Sequence, residues 1–153
     1  MRVIFVCTGN TCRSPMAEKI LSSMTAGKGV EVLSRGVMCD DGFPMNLNAK
    51  IVMREQGLDT THTSHALTLA DIESSDIVIT MTASHKMYIE QLFGVHDNVH
   101  TLGEYSGKGD VLDPYGGDIN EYRRCARRLS DDIAILVDKL SPIGSDSKKT
   151  KEK

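Results

Sequence analysis

The stretch from Arg2 to Glu18 constrains this chain more than any other. It opens with Arg-Val-Ile-Phe-Val, passes through Cys-Thr-Gly-Asn-Thr-Cys-Arg and ends in Ser-Pro-Met-Ala-Glu. A run rich in Val, Ile and Phe reads as a buried strand. Ser14 followed by Pro15 reads as the N-cap and first position of a helix. Cys7 to Arg13 is then a strand-to-helix loop. Such a loop aims several backbone N–H groups, and the positive end of a helix dipole, at one small volume. That volume suits an anion.

Two side chains in the loop make the anion site reactive. Cys7 stands at its mouth, where a helix N-terminus and a nearby cation favour the nucleophilic thiolate. Arg13 offers a planar fork of donors that matches two phosphate oxygens at once. A thiolate beneath an oxyanion cradle points to attack on phosphorus. Cys-x5-Arg alone equally describes a buried structural Cys and a surface Arg, and its setting between a buried strand and a Ser-Pro helix start is what favours chemistry.

A chain of 153 residues, 40% hydrophobic, is one ordinary domain, expected over residues 1–141, with a disordered polar tail over 142–153. The chain has no run of eighteen apolar residues and no charged-then-apolar leader, so no membrane association is expected and the protein should be cytoplasmic. Four cysteines in a domain this large do not suggest a secreted disulfide framework. A net charge of −3 offers no general field for nucleic acid or a phosphorylated partner, so attraction must be local. Arg123, Arg124, Arg127 and Arg128 make a basic run on the last helix, expected to be a solvated face beside Glu121, Asp131 and Asp132.

Strand and helix alternate along the rest of the chain. Pro15 to about Ala26 is a helix with Met16, Ile20, Leu21 and Met24 on one face, and Val30–Ser34 a second strand. A helix from Asn46 carries Ile51, Val52 and Met53. Thr68 and Asp71 form a capping-box pattern ahead of a short turn. Ile-Val-Ile-Thr-Met after Asp76 is a third buried strand, Ser84–Phe93 a helix with Met87, Leu92 and Phe93 inward, and Val99–Leu102 a fourth strand. Glycines and Pro114 crowd Leu102–Gly117, which should be an irregular and functional loop. From Ile119 to Leu140 apolar residues recur at helical spacing. The fold class is therefore α/β: a single three-layer domain whose four-stranded parallel sheet carries helices on both faces.

Asp113 is the candidate for proton handling. It precedes Pro114, which holds its backbone extended and lets the carboxyl reach over the cradle, although an Asp in that position also serves simply as a turn former. Asp110 and Asp118 are rival carboxylates that do not precede the Pro-Tyr pair.

These residues together resemble the low-molecular-weight protein tyrosine phosphatases. The resemblance is carried by Val-Cys-Thr-Gly-Asn-Thr-Cys-Arg-Ser-Pro-Met-Ala-Glu and by Asp-Pro-Tyr at 113–115, and it runs from Arg2 to about Leu140. That family usually has apolar residues at the positions of Thr8 and Thr11. Threonine at both resembles its bacterial protein-arginine phosphatase branch, as do Met-Thr at 81–82 and the run from Gly109 to Gly117. The resemblance implies sheet order 2-1-3-4, which opens the Cys7 loop at the switch point where α/β sheets bind ligands. It implies Cys7 as nucleophile, Arg13 as phosphate-binding cation and Asp113 as general acid and then base, with no cofactor. By position, Thr8, Gly9, Asn10, Thr11 and Cys12 would contact substrate, with Met38 and Tyr115 as pocket walls. Asn10 would take a left-handed backbone and His62 would brace it, while Ser14 would hydrogen-bond the nucleophile and Ser34 would support the loop. Cys12 would either fill the back of the loop or join Cys7 in a reversible disulfide.

The expected substrates are phosphorylated proteins, with arginine-phosphorylated ones favoured and the enzyme acting as a monomer. Threonine hydroxyls at the rim tolerate a polar, cationic guanidino group, and the Asp113 carboxylate can pair with its N–H donors. A tyrosine phosphatase would share every catalytic residue. A thiol redox protein of the arsenate reductase type is a further alternative, but only Cys39 and Cys125 remain to relay a disulfide. A binding module without turnover would not need Cys7, Arg13 and Asp113 together. No metal is expected, because His62 and His65 have no third ligand spaced with them.

Overall fold

The computed structural model describes residues 1–140, so the expected tail at 142–153 lies outside the described residues. Among the described residues, strands β1 (Arg2–Cys7), β2 (Glu31–Gly36), β3 (Ile77–Thr80) and β4 (Val99–Thr101) form one parallel sheet in the order β2-β1-β3-β4. The helices are α1 (Arg13–Met24), α2 (Leu47–Glu55), α3 (Leu69–Ser74), α4 (Ala83–Phe93), α5 (Leu102–Ser106) and α6 (Ile119–Lys139). No helix among the described residues is long and apolar enough to cross a membrane.

Side chains alternate across a strand, and β1 uses both sides. Val3, Phe5 and Cys7 face a core built with Met16 and Leu21 of α1, Val52 and Met53 of α2 and Leu129 and Ile133 of α6. Ile4 and Val6 face the opposite core, with Ile72 of α3 and Ile89 of α4. A central strand buried on both faces must be apolar throughout, which is why Val-Ile-Phe-Val has no polar interruption. With β1 between β2 and β3, its C-terminal end opens where the crossovers diverge, and Cys7 sits at that end.

Several local expectations change. Ser14 lies inside α1, because Cys12 is the N-cap and supplies no side-chain hydrogen bond. In α4 the inward residues are His85 and Ile89, while Met87 and Leu92 are exposed. Two sides of that helix carry apolar residues, and packing against the sheet selects the other one. Met24 is also exposed on α1. The supposed irregular stretch after β4 begins with a helix. Thr101 Oγ1 accepts from the Glu104 N–H, Glu104 reaches back to the Thr101 N–H, and α5 forms despite its glycine. The same device opens α3 through Thr68 and Asp71, as its sequence implied.

The basic run on α6 is less solvated than its composition suggested. Arg123 forms a double hydrogen bond with Glu55 of α2 (3.1 and 2.6 Å). Arg128 pairs with the fully buried Asp132 (2.8 Å) and donates to the carbonyls of Lys108 and Gly109 (3.2 and 2.8 Å). It thereby ties the loop that leads to Asp113 onto α6. Gly103 lets that loop pass: a Cβ there would stand 2.6 Å from the Gly109 carbonyl oxygen.

Candidate active site

The loop after β1 is shaped by Asn10, the one non-glycine residue with positive φ among those described (58°). Its side chain is fully buried and satisfied at both ends. Nδ2 donates to Ser14 Oγ (2.9 Å) and Oδ1 accepts from the His65 N–H (2.9 Å). His62 Nε2 lies 2.7 Å from the Asn10 carbonyl, and burial lowers its pKa, so the neutral ring donates here. These contacts hold the left-handed turn in place. Gly36 admits the neighbouring strand, since a Cβ there would meet the Thr8 carbonyl oxygen at 2.6 Å. Val37 and Met38 then donate their N–H groups to the carbonyls of Cys7 and Thr8 (2.9 and 3.0 Å).

Cys7, Thr8, Gly9, Thr11, Cys12 and Arg13 line a cavity of about 250 Å³, closed on its other side by Asp113 and Tyr115. The Cys7 sulfur lies 2.9 Å from Ser14 Oγ. That hydroxyl already accepts from Asn10, so its own proton is available to the sulfur or to the Arg35 carbonyl (3.3 Å). The uncapped first turn of α1 leaves backbone N–H groups facing this end of the loop. Arg13 is 5% exposed; its Nη1 donates to the Val111 carbonyl (3.0 Å) and its Nη2 stands 3.5 Å from Asp113 Oδ2. Val111 thus fixes the guanidinium plane from the loop that also carries Asp113.

Asp113 is separated from its rivals by what each carboxylate touches. Asp110 accepts from the Ala83 N–H at the start of α4 (2.9 Å), and Asp118 caps α6 through the Glu121 N–H (3.0 Å). Among the described residues, Asp113 accepts one hydrogen bond, a local turn bond from the Tyr115 N–H to Oδ1 (3.0 Å), while Oδ2 stands toward Arg13 at the cavity.

Not every expected contact is made. Asn10 does not line the cavity, because the left-handed turn sends its side chain behind the loop. Met38 stands outside it, 64% exposed, while Tyr115, 73% exposed, does form a wall. Ser34 donates to Glu18 Oε1 (2.7 Å) rather than touching the loop, since β2 register turns it toward α1. Cys12 lies against the Tyr122 hydroxyl (3.4 Å), and burial pushes its thiol up; both cysteines are free thiols here. His65 stands near Asp41 (3.8 Å), and no cluster of three or more His, Cys, Asp or Glu among the described residues could hold a metal ion.

Two contributors were not legible beforehand. Tyr122 reaches Cys12 from α6, and His85 places Nε2 2.9 Å from Thr8 Oγ1. The only sequence signal was a polar residue on an otherwise inward helix face.

Comparison with known proteins agrees with this geometry. The family model for low molecular weight phosphotyrosine protein phosphatase matches residues 2–145. A protein-arginine-phosphatase of Geobacillus stearothermophilus is 41% identical over 143 residues, covering 92% of this chain and 93% of the relative. The low molecular weight protein-tyrosine-phosphatase PtpB of Staphylococcus aureus is 41% identical over 139 residues, covering 90% and 98%. A solved structure of the YwlE arginine phosphatase, a mutant with a phosphorylated active-site serine, superposes with a TM-score of 0.88 at 40% identity, covering 92% of this chain and 96% of that one. The family model's match over residues 2–145, with 41% identity to a curated relative over 92% of the chain, makes it a member of the low molecular weight phosphotyrosine protein phosphatase family.

Proposed function

We propose that this chain hydrolyses phosphoarginine in proteins through a phosphocysteine on Cys7. The observation that carries the proposal is one cavity lined by Cys7, Arg13 and Asp113 whose wall also holds two threonines, Thr8 and Thr11. The G. stearothermophilus relative, named a protein-arginine-phosphatase, supports it. So does the phosphorylated active-site serine of the YwlE mutant, which fits phosphoryl transfer to the nucleophile position.

The chemistry follows from the placement of the groups. Backbone N–H groups and the Arg13 fork bind the phosphoryl oxygens and stabilise charge as it develops. The Cys7 thiolate attacks phosphorus while the P–N bond breaks, and the departing guanidino nitrogen takes the proton of the Asp113 carboxylic acid. Asp113, now a carboxylate, removes a proton from water; the new P–O bond forms as P–S breaks, returning the thiolate and releasing phosphate. The Ser14 hydroxyl, 2.9 Å from sulfur, stabilises the thiolate as it leaves.

Phosphotyrosine is the second substrate to weigh. Tyr115 at the mouth would stack on an aromatic ring, and the S. aureus relative with the same identity is named a tyrosine phosphatase. Side-by-side assays decide. Phosphate release should be far faster from phosphoarginine protein than from phosphotyrosine protein, and Thr11→Ile should move the ratio toward tyrosine. Comparable rates, unmoved by the substitution, would refute the arginine preference.

A further inference from the structure

We infer that His85 is a positioning residue that fixes the proton arrangement of Thr8 and turns the Thr8 hydroxyl proton into the phosphate cavity. The inference rests on the phosphatase function proposed above.

His85 occupies the first turn of α4, where its N–H donates to the N-cap Thr82 Oγ1 (3.1 Å). The residue is 6% exposed. Nε2 faces Thr8 Oγ1 at 2.9 Å, whereas Nδ1 is buried and finds no hydrogen-bond partner among the described residues. A neutral imidazole carries one proton, and the two tautomers are unequal here. A proton on Nδ1 would be a buried N–H without an acceptor, a rarer and costlier defect than a buried lone pair. The proton therefore sits on Nε2 and is donated to Thr8. With its oxygen accepting from the ring, Thr8 keeps its own O–H free, and Thr8 lines the cavity that Cys7 and Arg13 share.

The ring stays neutral in this setting. Burial first, and the Arg13 cation second, hold its pKa down to about 4, against the opposing pull of Asp110 and Asp113. Its backbone is also well held. Met81 donates to the Val6 carbonyl (3.0 Å) and accepts from the Val111 N–H (3.0 Å), and the Ala83 N–H is taken by Asp110 (2.9 Å). Residues 81–85 thus join the strand that carries Cys7 to the loop that carries Asp113. A donor mounted on that junction constrains Thr8 more tightly than water would.

The experiment is a double-mutant cycle on the full chain with para-nitrophenyl phosphate, reading kcat/KM, with thermal unfolding midpoints to monitor the fold. In His85→Gln the amide N–H reaches the place of Nε2, while in His85→Asn it reaches only the place of Nδ1. Asn should lower kcat/KM about tenfold, the loss of roughly one hydrogen bond, and Gln should stay within about threefold of wild type. In a Thr8→Val background, Asn and Gln should each change kcat/KM less than about twofold. Equal losses for Asn and Gln, or the same loss from Asn in both backgrounds, would overturn the role of His85 and leave the phosphatase function standing. A wild-type chain that releases phosphate neither from para-nitrophenyl phosphate nor from phosphoarginine protein would remove both.

Discussion

Asp113 Oδ2 stands 3.5 Å from Arg13 Nη2 across a cavity whose floor carries Cys7. The two side chains come from opposite ends of the sequence, and Arg13 is further fixed by the Val111 carbonyl from the Asp113 loop. The groups proposed to bind phosphate and to deliver the proton are therefore mechanically linked.

If that link serves proton delivery, Asp113→Asn should lower kcat by roughly 10²- to 10⁴-fold, with the loss growing as the leaving group becomes more basic. Rates on a series of aryl phosphates of graded leaving-group basicity measure this. A uniform loss across the series would mean that Asp113 only shapes the pocket.

Removing the proposed nucleophile should also be severe. Cys7→Ser should cut turnover on the order of 10³-fold or more while leaving the fold intact, because the cradle and Arg13 remain. Steady-state rates and a urea unfolding curve suffice, and turnover near wild type would end the covalent mechanism.

Acid should weaken the fold in two stages. His85 takes a proton near 6.5 when unfolded but only near 4 when folded, with Thr8, Arg13, Asp110 and Asp113 facing it. The unfolded chain binds more protons between those values, so the stability His85 preserves is complete above pH 6.5 and falls as the pH drops toward 4. Glu104 is exposed, and the little desolvation it meets opposes ionisation, but the Thr101 N–H and Lys86 outweigh that and hold it at about 2 against an ordinary 4.5. Its contribution is complete above 4.5 and disappears as the pH falls to 2. Urea midpoints should decline through both windows, and His85→Gln should flatten the upper one. A flat midpoint from 6.5 to 4 in the wild type would contradict the buried neutral histidine.

Gly103 supplies a prediction whose sign is set by competing magnitudes. Alanine usually gains about 0.5–1 kcal/mol over glycine inside a helix. Here its Cβ would meet Gly109 backbone atoms at 2.6–3.1 Å, and overpacking of that kind typically costs about 1–3 kcal/mol. Gly103→Ala should therefore destabilise by about 1–2 kcal/mol and also lower activity, since Gly109 lies on the strap toward Asp113. Denaturant unfolding with parallel kinetics tests both halves.

Much of this molecule was written in local pattern. The apolar run in β1, the alternation of strand and helix, the Cys7 loop with Arg13, and the Thr68–Asp71 box are short-range features, and short-range physics is enough to read them. The sheet order and the Asp113 assignment came from family likeness, because composition alone ranks Asp110, Asp113 and Asp118 almost equally. Tertiary structure separated them independently of that likeness, by occupying Asp110 and Asp118 at helix starts. It also decided which side of α4 is buried, turned Asn10 and Ser34 away from the cavity, and made Arg128 a strap on a buried carboxylate. His85 shows the reason most plainly. Its partner Thr8 lies on another strand's loop, and no local spacing records that distance, because it exists only once β1 and β3 have paired and α4 has packed behind them.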